Sequence, residues 1–348
     1  MARFAVFALA ALSGCGLFPS LDGLGASDAG ETEASADGGG DSSNDVVTHP
    51  FYERVVTIEN LATAALPAGT TIGVPFPQSQ MQTAIDAGKM RSDLGDLRVR
   101  GAGGERDRLV DAAPLASVVW FSLAAPIAAG ATDTSYAITY GDPNAGAPQE
   151  DGAKVFDFYD DFAGASVDAS KWMTQGTMSV SGGVLTLPAG GQGALTTLSL
   201  PPPTTVEWRA QLTDPTSDPD AQTGYYYWFG FQRNGDFVPV DPWIVWIARD
   251  KGLVGGEDYA DGCASICSDT PFAQNASFRF YGIERQPSQT VFSIDGAPSY
   301  TTPATNDQAL SLMIRNFLVT SDLSVDWIRA RARVYPEPTV TLGAEQTL

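Results

Sequence analysis

Apolar and polar residues alternate without a break in one stretch of the chain, Val206-Glu207-Trp208-Arg209-Ala210-Gln211-Leu212. Successive side chains of a β-strand point to opposite faces, so this alternation predicts a half-buried strand. One face carries the apolar residues, and the other carries Glu207, Arg209 and Gln211. The polar face therefore offers a single carboxylate, beside an arginine that would lower its pKa.

Short segments of the same kind, separated by turn residues, extend on both sides of this strand. Asp295-Gly296 has the composition of a tight hairpin turn, and only residues 79–89 space their apolar side chains as a helix does. Repeated strands with almost no helical pattern predict an all-β fold built from sandwiches. At 348 residues the chain has room for two such domains.

Four motifs follow one another in the N-terminal part of this pattern: Tyr52-Glu53-Arg54-Val55-Val56-Thr57-Ile58, Asp96-Leu97-Arg98-Val99, Trp120-Phe121 and Tyr140-Gly141-Asp142-Pro143-Asn144-Ala145. In this order they resemble the DUF2341 family. The resemblance covers residues 51–148 and implies a secreted β-domain of unknown function that often lies beside carbohydrate-binding jelly rolls. The start at Phe51-Tyr52 departs from the family pattern because it lacks a tryptophan.

A Pro/Gly/Asp-rich break at residues 147–153 precedes a second group of motifs. These motifs are Phe158-Tyr159-Asp160-Asp161-Phe162, Gly183-Val184-Leu185-Thr186-Leu187, Phe278-Arg279-Phe280-Tyr281-Gly282-Ile283-Glu284, Val291-Phe292-Ser293-Ile294-Asp295-Gly296 and Val325-Asp326-Trp327-Ile328-Arg329. They resemble the strands of a concanavalin A-like (LamG-type) jelly roll. This resemblance implies a second β-domain over residues 155–348.

The first residues of the chain have the features of an export signal. Arg3 precedes an uncharged apolar run that ends in Leu12-Ser13-Gly14-Cys15, and this run is shorter than the roughly 20 apolar residues that cross a bilayer. The segment resembles a bacterial lipoprotein signal peptide over residues 1–14. The resemblance implies that Cys15 is lipidated and anchors the chain, and Gly16 after it implies an outer-membrane lipoprotein of the bacterial cell envelope, periplasmic or surface-exposed. An ordinary secretory signal is the alternative.

Residues 15–50 are rich in Gly, Ser, Ala and Asp and lack Lys and Arg. Such a composition cannot bury enough apolar surface to fold, and its like charges extend the chain. We expect a disordered acidic tether. The net charge of the whole chain, −21 at pH 7, repels phosphates, so nucleic acid is not an expected partner and the membrane is expected to be contacted only through the lipid anchor.

Three cysteines are present, and with Cys15 lipidated the other two form an even number in an oxidising compartment. We therefore expect a disulfide between Cys263 and Cys267. A redox pair or half of a zinc site are the alternatives. The first would need a Cys-x-x-Cys motif, and the second needs further ligands although the only histidine is His49, in the tether.

The catalytic motifs that suit the second domain are absent from the sequence. Glucanases of the concanavalin A-like fold carry a strand of the type Glu-x-Asp-x-x-Glu, which places two carboxylates around the glycosidic bond. This chain has no such strand, and neither predicted domain contains a histidine for a Ser-His-Asp or Cys-His arrangement. Enzymatic activity is therefore not the expectation.

A dense aromatic segment offers a candidate binding face instead. Within the run from Tyr225 to Phe231, alternation places Tyr226, Trp228 and Gln232 on one face of a strand and core residues on the other. Sugars stack their C–H faces on aromatic rings, so this face is a candidate sugar platform. The candidate ligand-binding residues are Tyr226, Trp228, Gln232, Trp246, Glu207, Arg209 and Gln211, with Arg249 as a further polar candidate. The competing interpretation buries both faces of the strand.

Two acidic groups are candidate calcium ligands, since calcium binds carboxylate and carbonyl oxygens from loops. Asp214, Asp218 and Asp220 lie in a Pro-rich loop, and Asp160, Asp161 and Asp326 lie on the first and last strands of the predicted jelly roll. Solvated loop acids are the alternative. No other cofactor is expected.

The sequence thus favours a lipid-anchored protein that binds a polysaccharide or glycoconjugate without cleaving it. The first alternative is a structural or adhesion protein whose β-domains contact other proteins. The second is a divergent glycoside hydrolase. Glycan binding would require Trp228 or Trp246 to be exposed in a groove, whereas the structural alternative predicts that they are buried.

Overall fold

The computed structural model describes residues 51–111, 117–212, 226–233, 237, 243–249, 253–260, 263–266, 277–303, 306–317 and 321–348. The described elements are antiparallel strands and two short helices, so the predicted all-β fold is confirmed. Neither described helix has the length and apolarity that a bilayer crossing requires.

The elements of the first half of the chain are β1 (Tyr52–Glu59), β2 (Thr71–Pro75), α1 (Gln78–Asp86), β3 (Arg98–Gly101), β4 (Gly104–Arg106), β5 (Arg108–Asp111), β6 (Val118–Ser122), β7 (Thr132–Tyr140), α2 (Gly152–Val155), β8 (Phe158–Asp160), β9 (Trp172–Gln175), β10 (Ser179–Ser181), β11 (Val184–Leu187) and β12 (Gln192–Leu200).

The remaining elements are β13 (Thr204–Leu212), β14 (Tyr226–Gln232), β15 (Trp243–Arg249), β16 (Leu253–Ala260), β17 (Cys263–Ile266), β18 (Arg279–Arg285), β19 (Gln289–Ile294), β20 (Ala297–Pro303), β21 (Leu310–Phe317), β22 (Leu323–Ala332), β23 (Thr339–Leu342) and β24 (Gln346–Thr347).

The N-terminal sandwich consists of two sheets. Sheet 1 has the order β23-β1-β7-β3-β4 with β24 also on β1, and sheet 2 has the order β2-β6-β5. Their facing sides bury one apolar core, to which sheet 1 contributes Val56 and Ile138 and sheet 2 contributes Val74 and Phe121. Helix α1 overlaps the predicted helical segment 79–89. It begins one residue before that segment, ends three residues before its end, and adds Met81 to this core.

The last strands of the chain return to the N-terminal sandwich. Val340 on β23 is the register partner of Ile58 on β1, and Gln346 on β24 is the partner of Glu53. The structure differs here from the predicted boundary, which assigns residues 155–348 to the second domain. The physical reason is that β1 would otherwise leave a row of backbone groups unpaired at the edge of sheet 1.

The C-terminal sandwich also consists of two sheets. Sheet 3 has the order β10-β11-β22-β13-β18-β19-β20 with β8 on β22, and sheet 4 has the order β17-β16-β15-β14-β21-β12-β9. The alternation in β13 acts as predicted, because Val206, Trp208, Ala210 and Leu212 all lie in the core between the sheets. The ring of Trp208 contacts that of Phe229 on β14 edge-on, with centroids 5.1 Å apart.

The predicted hairpin turn joins β19 to β20. Asp295 and Gly296 have φ angles of 51° and 77°, and two consecutive positive φ values are what a two-residue type I′ turn requires. This turn makes β20 the edge strand of sheet 3. On the other side of β19, Ser293 is the register partner of Gly282 on β18.

Candidate functional site

The structure does not bring the predicted binding residues onto one surface. Strand β13 belongs to sheet 3 and β14 to sheet 4, and the core-facing residues of the two strands contact each other. The alternate residues therefore point to opposite sides of the sandwich. The outer face of sheet 3 carries Glu207, Arg209 and Gln211. Trp228 and Gln232 lie on the face of sheet 4 that points away from the core. The prediction that these residues share one binding face is therefore wrong.

Trp228 is buried, with 5% of its surface exposed. It packs with Leu195, Val245 and Met313, and the guanidinium of Arg315 lies 5.5 Å from its ring centroid. Gln232 is completely buried. Burial of Trp228 is the outcome that the structural alternative predicts at this position.

The side chains of Tyr226, Trp246 and Arg249 lie outside the described residues. The backbone register nevertheless pairs Trp246 with Phe229, and it pairs Trp228 with Ile247. Trp228 and Trp246 thus occupy different cross-strand rows of sheet 4.

The outer face of sheet 3 carries a row of four residues that cross four strands. Glu207 on β13 is the register partner of Arg329 on β22 and of Gly282 on β18, and Gly282 is in turn the partner of Ser293 on β19. Gly282 has no side chain, and a Cβ built there would overlap the hydroxyl of Ser293. The glycine therefore leaves an opening in the row, between a carboxylate and a hydroxyl.

A second row with two aromatic rings runs beside the first. Arg209 on β13 is the partner of Trp327 on β22 and of Phe280 on β18. The half-buried rings of Phe280 and Trp327 have centroids 5.8 Å apart. The register shifts between Arg209 and the next residue of β13, which leaves Asp326 as the extra residue of a bulge on β22, where it forms an ion pair with Arg209.

Strands β5 and β6 of the N-terminal sandwich lie against these two rows of sheet 3. In β6, Val119 and Phe121 face the N-terminal core, while Val118 and Trp120 face away from it, Trp120 being packed with Phe156. The strand is therefore apolar on both faces, as the uninterrupted run Val118-Val119-Trp120-Phe121 indicates. The indole Nε1 of Trp120 donates a hydrogen bond to Oδ2 of Asp111 at 2.6 Å.

Arg329 connects the two sandwiches. Its Nη1 and Nη2 donate to Oδ1 and Oδ2 of Asp111 at 2.8 and 2.9 Å, and its Nε donates to Oε2 of Glu207 at 2.9 Å. The rings of Trp120, Phe156 and Trp327 surround the guanidinium, with centroids 5.0, 5.0 and 4.8 Å away. The charge is therefore both paired and covered by aromatic faces.

The arginines determine the ionisation of Glu207. Burial would raise the pKa of this carboxyl, but Arg329, Arg331 and Arg333 outweigh burial and lower it. Burial opposes the charge of Arg329 as well, yet Glu207 and Asp111 raise the pKa of its guanidinium. Glu207 is thus a carboxylate at neutral pH. The direction agrees with the low pKa predicted for Glu207, but the arginines responsible are Arg329, Arg331 and Arg333 rather than Arg209.

These residues surround an opening of about 170 Å³, which we name the interdomain cleft. Among the described contacts, Oε1 of Glu207 receives no hydrogen bond, and 35% of the Glu207 side chain is exposed. The cleft combines aromatic faces with a charged acceptor. Its lining residues are Asp111, Val118, Trp120, Glu207, Phe280, Tyr281, Gly282, Ser293, Gly296, Trp327 and Arg329.

The candidate calcium ligands are not brought together by the part of the chain that the structure describes. Asp214, Asp218 and Asp220 lie outside that part. Asp160 is buried and accepts hydrogen bonds from Nε1 of Trp172 at 2.6 Å and from the amide of Phe162 at 3.1 Å. Among the described residues, no group of three or more His, Cys, Asp or Glu side chains is placed to hold a metal ion.

The predicted lipidation and disulfide sites also fall largely outside the described residues. Cys15 and Cys267 are not described, and Cys263 is the first residue of β17. Both expectations stay predictions.

Comparison with known proteins supports part of the resemblances found in the sequence. Residues 110–175 match the model of a domain of unknown function, DUF2341. The match begins at residue 110 rather than at the predicted start, residue 51, and continues past the predicted end at residue 148 into β9. It includes Asp111, Val118 and Trp120 of the cleft. No curated protein matches the chain.

Several solved structures are similar to about half of the chain. An endo-acting O-glycanase structure from the human gut microbiota has 15% identity and a TM-score of 0.42, and covers 51% of this chain and 98% of its own. The β-glucanase of Bacillus licheniformis has 15% identity and a TM-score of 0.40, covering 51% and 98%. The laminarinase of Rhodothermus marinus has 16% identity and a TM-score of 0.41, covering 51% and 96%.

Sequence reasoning missed most of the cleft. The sequence patterns predict Glu207 as a binding residue but place Phe280 and Trp327 only on strands. One signal could have found them, because both lie on strands whose other faces fill the core, so their rings must point outward. Asp111 carries no comparable signal, because its partner Arg329 is 218 residues away.

Proposed function

We propose that this protein binds a glycan in the interdomain cleft without cleaving it. The observation that carries the proposal is the placement of the half-buried rings of Trp327 and Phe280 beside the opening at Gly282. A sugar ring has apolar C–H faces that stack on aromatic side chains, and hydroxyl groups that need hydrogen-bond partners. The Oε1 atom of Glu207 and the hydroxyl of Ser293 supply such partners at the same opening.

The electrostatics of the cleft support binding rather than hydrolysis. Glycoside hydrolysis needs one carboxylic acid that is protonated and donates to the leaving oxygen. Glu207 has a lowered pKa, so it holds no proton to donate at neutral pH. Both oxygens of Asp111 accept hydrogen bonds from Arg329. The two carboxylates of the cleft are therefore unsuited to acid catalysis.

A glycan array and a polysaccharide pull-down with the full-length chain in mild detergent test the proposal. We expect retention of at least one glycan, and at least about tenfold weaker binding after Trp327→Ala or Phe280→Ala. Phe51→Ala is the matched control, because Phe51 is 45% exposed and does not line the cleft. Retention of no glycan, or equal loss in the control, would contradict the proposal.

One observation favours a structural role as the second candidate function. Arg329 and its three aromatic neighbours fasten the two sandwiches together, as a rigid spacer or protein-contact module would require. This candidate predicts that Trp327→Ala changes stability and no ligand affinity. A divergent hydrolase, by contrast, would release reducing sugar from the retained glycan over time.

We propose in addition that Cys15 is lipidated and anchors the chain to the bacterial cell envelope. The apolar run before Cys15 and the acidic tether after it support this proposal. Metabolic labelling with radioactive palmitate should label the wild-type chain and leave Cys15→Ser unlabelled. Label in the Cys15→Ser chain would contradict it.

A further inference from the structure

We infer that the interdomain cleft selects uncharged, hydroxyl-rich glycans and rejects glycans that carry carboxylate or sulfate groups. The inference rests on the proposed function and assigns the ligand class to the same site. Three charged residues line the cleft, namely Asp111, Glu207 and Arg329. Two carboxylates and one guanidinium leave the lining with a net negative charge.

The guanidinium of Arg329 is committed to protein carboxylates. Its Nε, Nη1 and Nη2 each donate a hydrogen bond to Glu207 or Asp111, and only 5% of its side chain is exposed. Planar, bidentate pairing of this kind satisfies the guanidinium geometry and leaves little gain from a further anion. An acidic sugar would therefore find no available cation in the lining.

The other cations on the outer face of sheet 3 are paired as well. Arg331 forms an ion pair with Glu337, Arg333 forms ion pairs with Glu284 and Glu337, and Arg209 is paired with Asp326. Arg209 and Arg331 lie against lining rings, with their guanidiniums 6.0 Å from the Phe280 centroid and 5.2 Å from the Trp120 centroid, but neither they nor Arg333 belong to the lining itself. A carboxylate or sulfate placed between Glu207 and Ser293 would lose its water without gaining a counter-charge, which is unfavourable.

A sugar hydroxyl, unlike a carboxylate or sulfate, gains a favourable contact in the cleft. It can donate to Oε1 of Glu207, which receives no hydrogen bond among the described contacts, and a hydrogen bond to a charged acceptor is stronger than one between neutral groups. The rings of Phe280 and Trp327 contact the apolar faces of the same sugar without regard to its charge. Neutral sugars thus gain both contacts. Acidic sugars keep hydroxyl groups for the same contacts, but their carboxylate or sulfate is repelled by the net negative charge of the lining.

Matched oligosaccharides test the inference in the full-length chain in mild detergent. The probes are neutral β-glucan and galactan oligosaccharides, and the same two chains after carboxymethylation or sulfation, measured at physiological ionic strength. We expect the acidic form of any retained oligosaccharide to bind at least about tenfold more weakly than its neutral form. Glu207→Gln should reduce the difference in affinity between the neutral and the acidic form, because it removes one negative charge from the lining.

The control is Glu59→Gln, which removes one charge from an exposed position on β1 that does not line the cleft. It reports the effect of the overall charge of −21 and should leave that difference in affinity unchanged. Equal or tighter binding of the acidic forms, or an equal reduction of the difference by Glu59→Gln, would overturn the selectivity while leaving glycan binding intact. Binding of neither form of any probe would overturn the proposed function, and the inference with it.

Discussion

Arg329 and Asp111 are 218 residues apart in the chain and share two hydrogen bonds, at 2.8 and 2.9 Å, across the boundary between the two sandwiches. The side chains are 5% and 14% exposed, so the pair is largely removed from water. A buried guanidinium without its carboxylate would retain the cost of desolvation. The pair therefore joins the sandwiches and shapes the wall of the interdomain cleft.

Removing Asp111 alone should destabilise the protein strongly. Asp111→Ala leaves the buried charge of Arg329 with Glu207 as its remaining partner, and loss of one member of a buried pair costs about 3 to 5 kcal/mol. The triple variant Asp111→Ala/Glu207→Gln/Arg329→Met removes all three paired charges and should recover most of the loss. Urea unfolding of the full-length chain measures the free energy of unfolding of each variant and of the wild type. A free energy of unfolding for Asp111→Ala within about 0.5 kcal/mol of the wild type would contradict this account.

Filling the opening at Gly282 should weaken glycan binding with little effect on folding. The Cβ of Gly282→Ala meets the hydroxyl of Ser293, which can rotate away, so we expect a change in the free energy of unfolding of about 1 kcal/mol or less. The methyl group occupies the sugar position, and glycan binding should weaken at least about tenfold.

Gly146→Ala is the control for this change, because it adds the same methyl in open space away from the cleft. Glycan affinity and thermal unfolding are measured for both variants. Wild-type affinity in folded Gly282→Ala would show that the ligand does not occupy this opening.

The stabilising contribution of Glu207 should depend on pH with a defined sign. The pKa of this carboxyl in the folded state is lower than its ordinary value of 4.5. The ionised form is therefore favoured by folding, and its contribution is fully present above about pH 4.5 and is lost as the pH falls through the folded-state pKa.

Thermal unfolding of the wild type and Glu207→Gln at a series of pH values measures this contribution. The wild type should be the more stable chain at about pH 7, and the difference should shrink below about pH 4.5. A difference that grows on acidification would contradict the ion pair with Arg329.

Deleting residues 339–348 should weaken the N-terminal sandwich more than the C-terminal one. The deletion uncovers the edge of β1 and removes Glu345, whose Oε2 accepts a hydrogen bond from the hydroxyl of Tyr140 at 2.7 Å. Amide hydrogen exchange should become faster in β1 and β7 than in β13 and β22. Equal exchange in both sandwiches, or no change, would show that β23 and β24 do not support sheet 1.

Local patterns predict the strands but not the partners that they acquire. The alternation in residues 206–212 identifies the core face of β13, and Asp295-Gly296 identifies a turn, because both depend on neighbouring residues. The same patterns wrongly predict one shared face for Glu207 and Trp228, because periodicity gives a side chain's face relative to its own sheet and does not say which sheet lies opposite. The contact of Arg329 with Asp111 and the return of β23 to β1 depend on long-range packing, which leaves no local signal.

Calorimetric titration of a neutral oligosaccharide, chosen from the glycan array, tests binding at the cleft most directly. It compares the wild type with Trp327→Ala and Trp327→Phe in the full-length chain. We predict that the alanine variant binds at least about tenfold more weakly than the wild type, and that the phenylalanine variant, which keeps an aromatic face, lies within about threefold of it. Wild-type affinity in a folded Trp327→Ala chain would contradict glycan binding in the interdomain cleft.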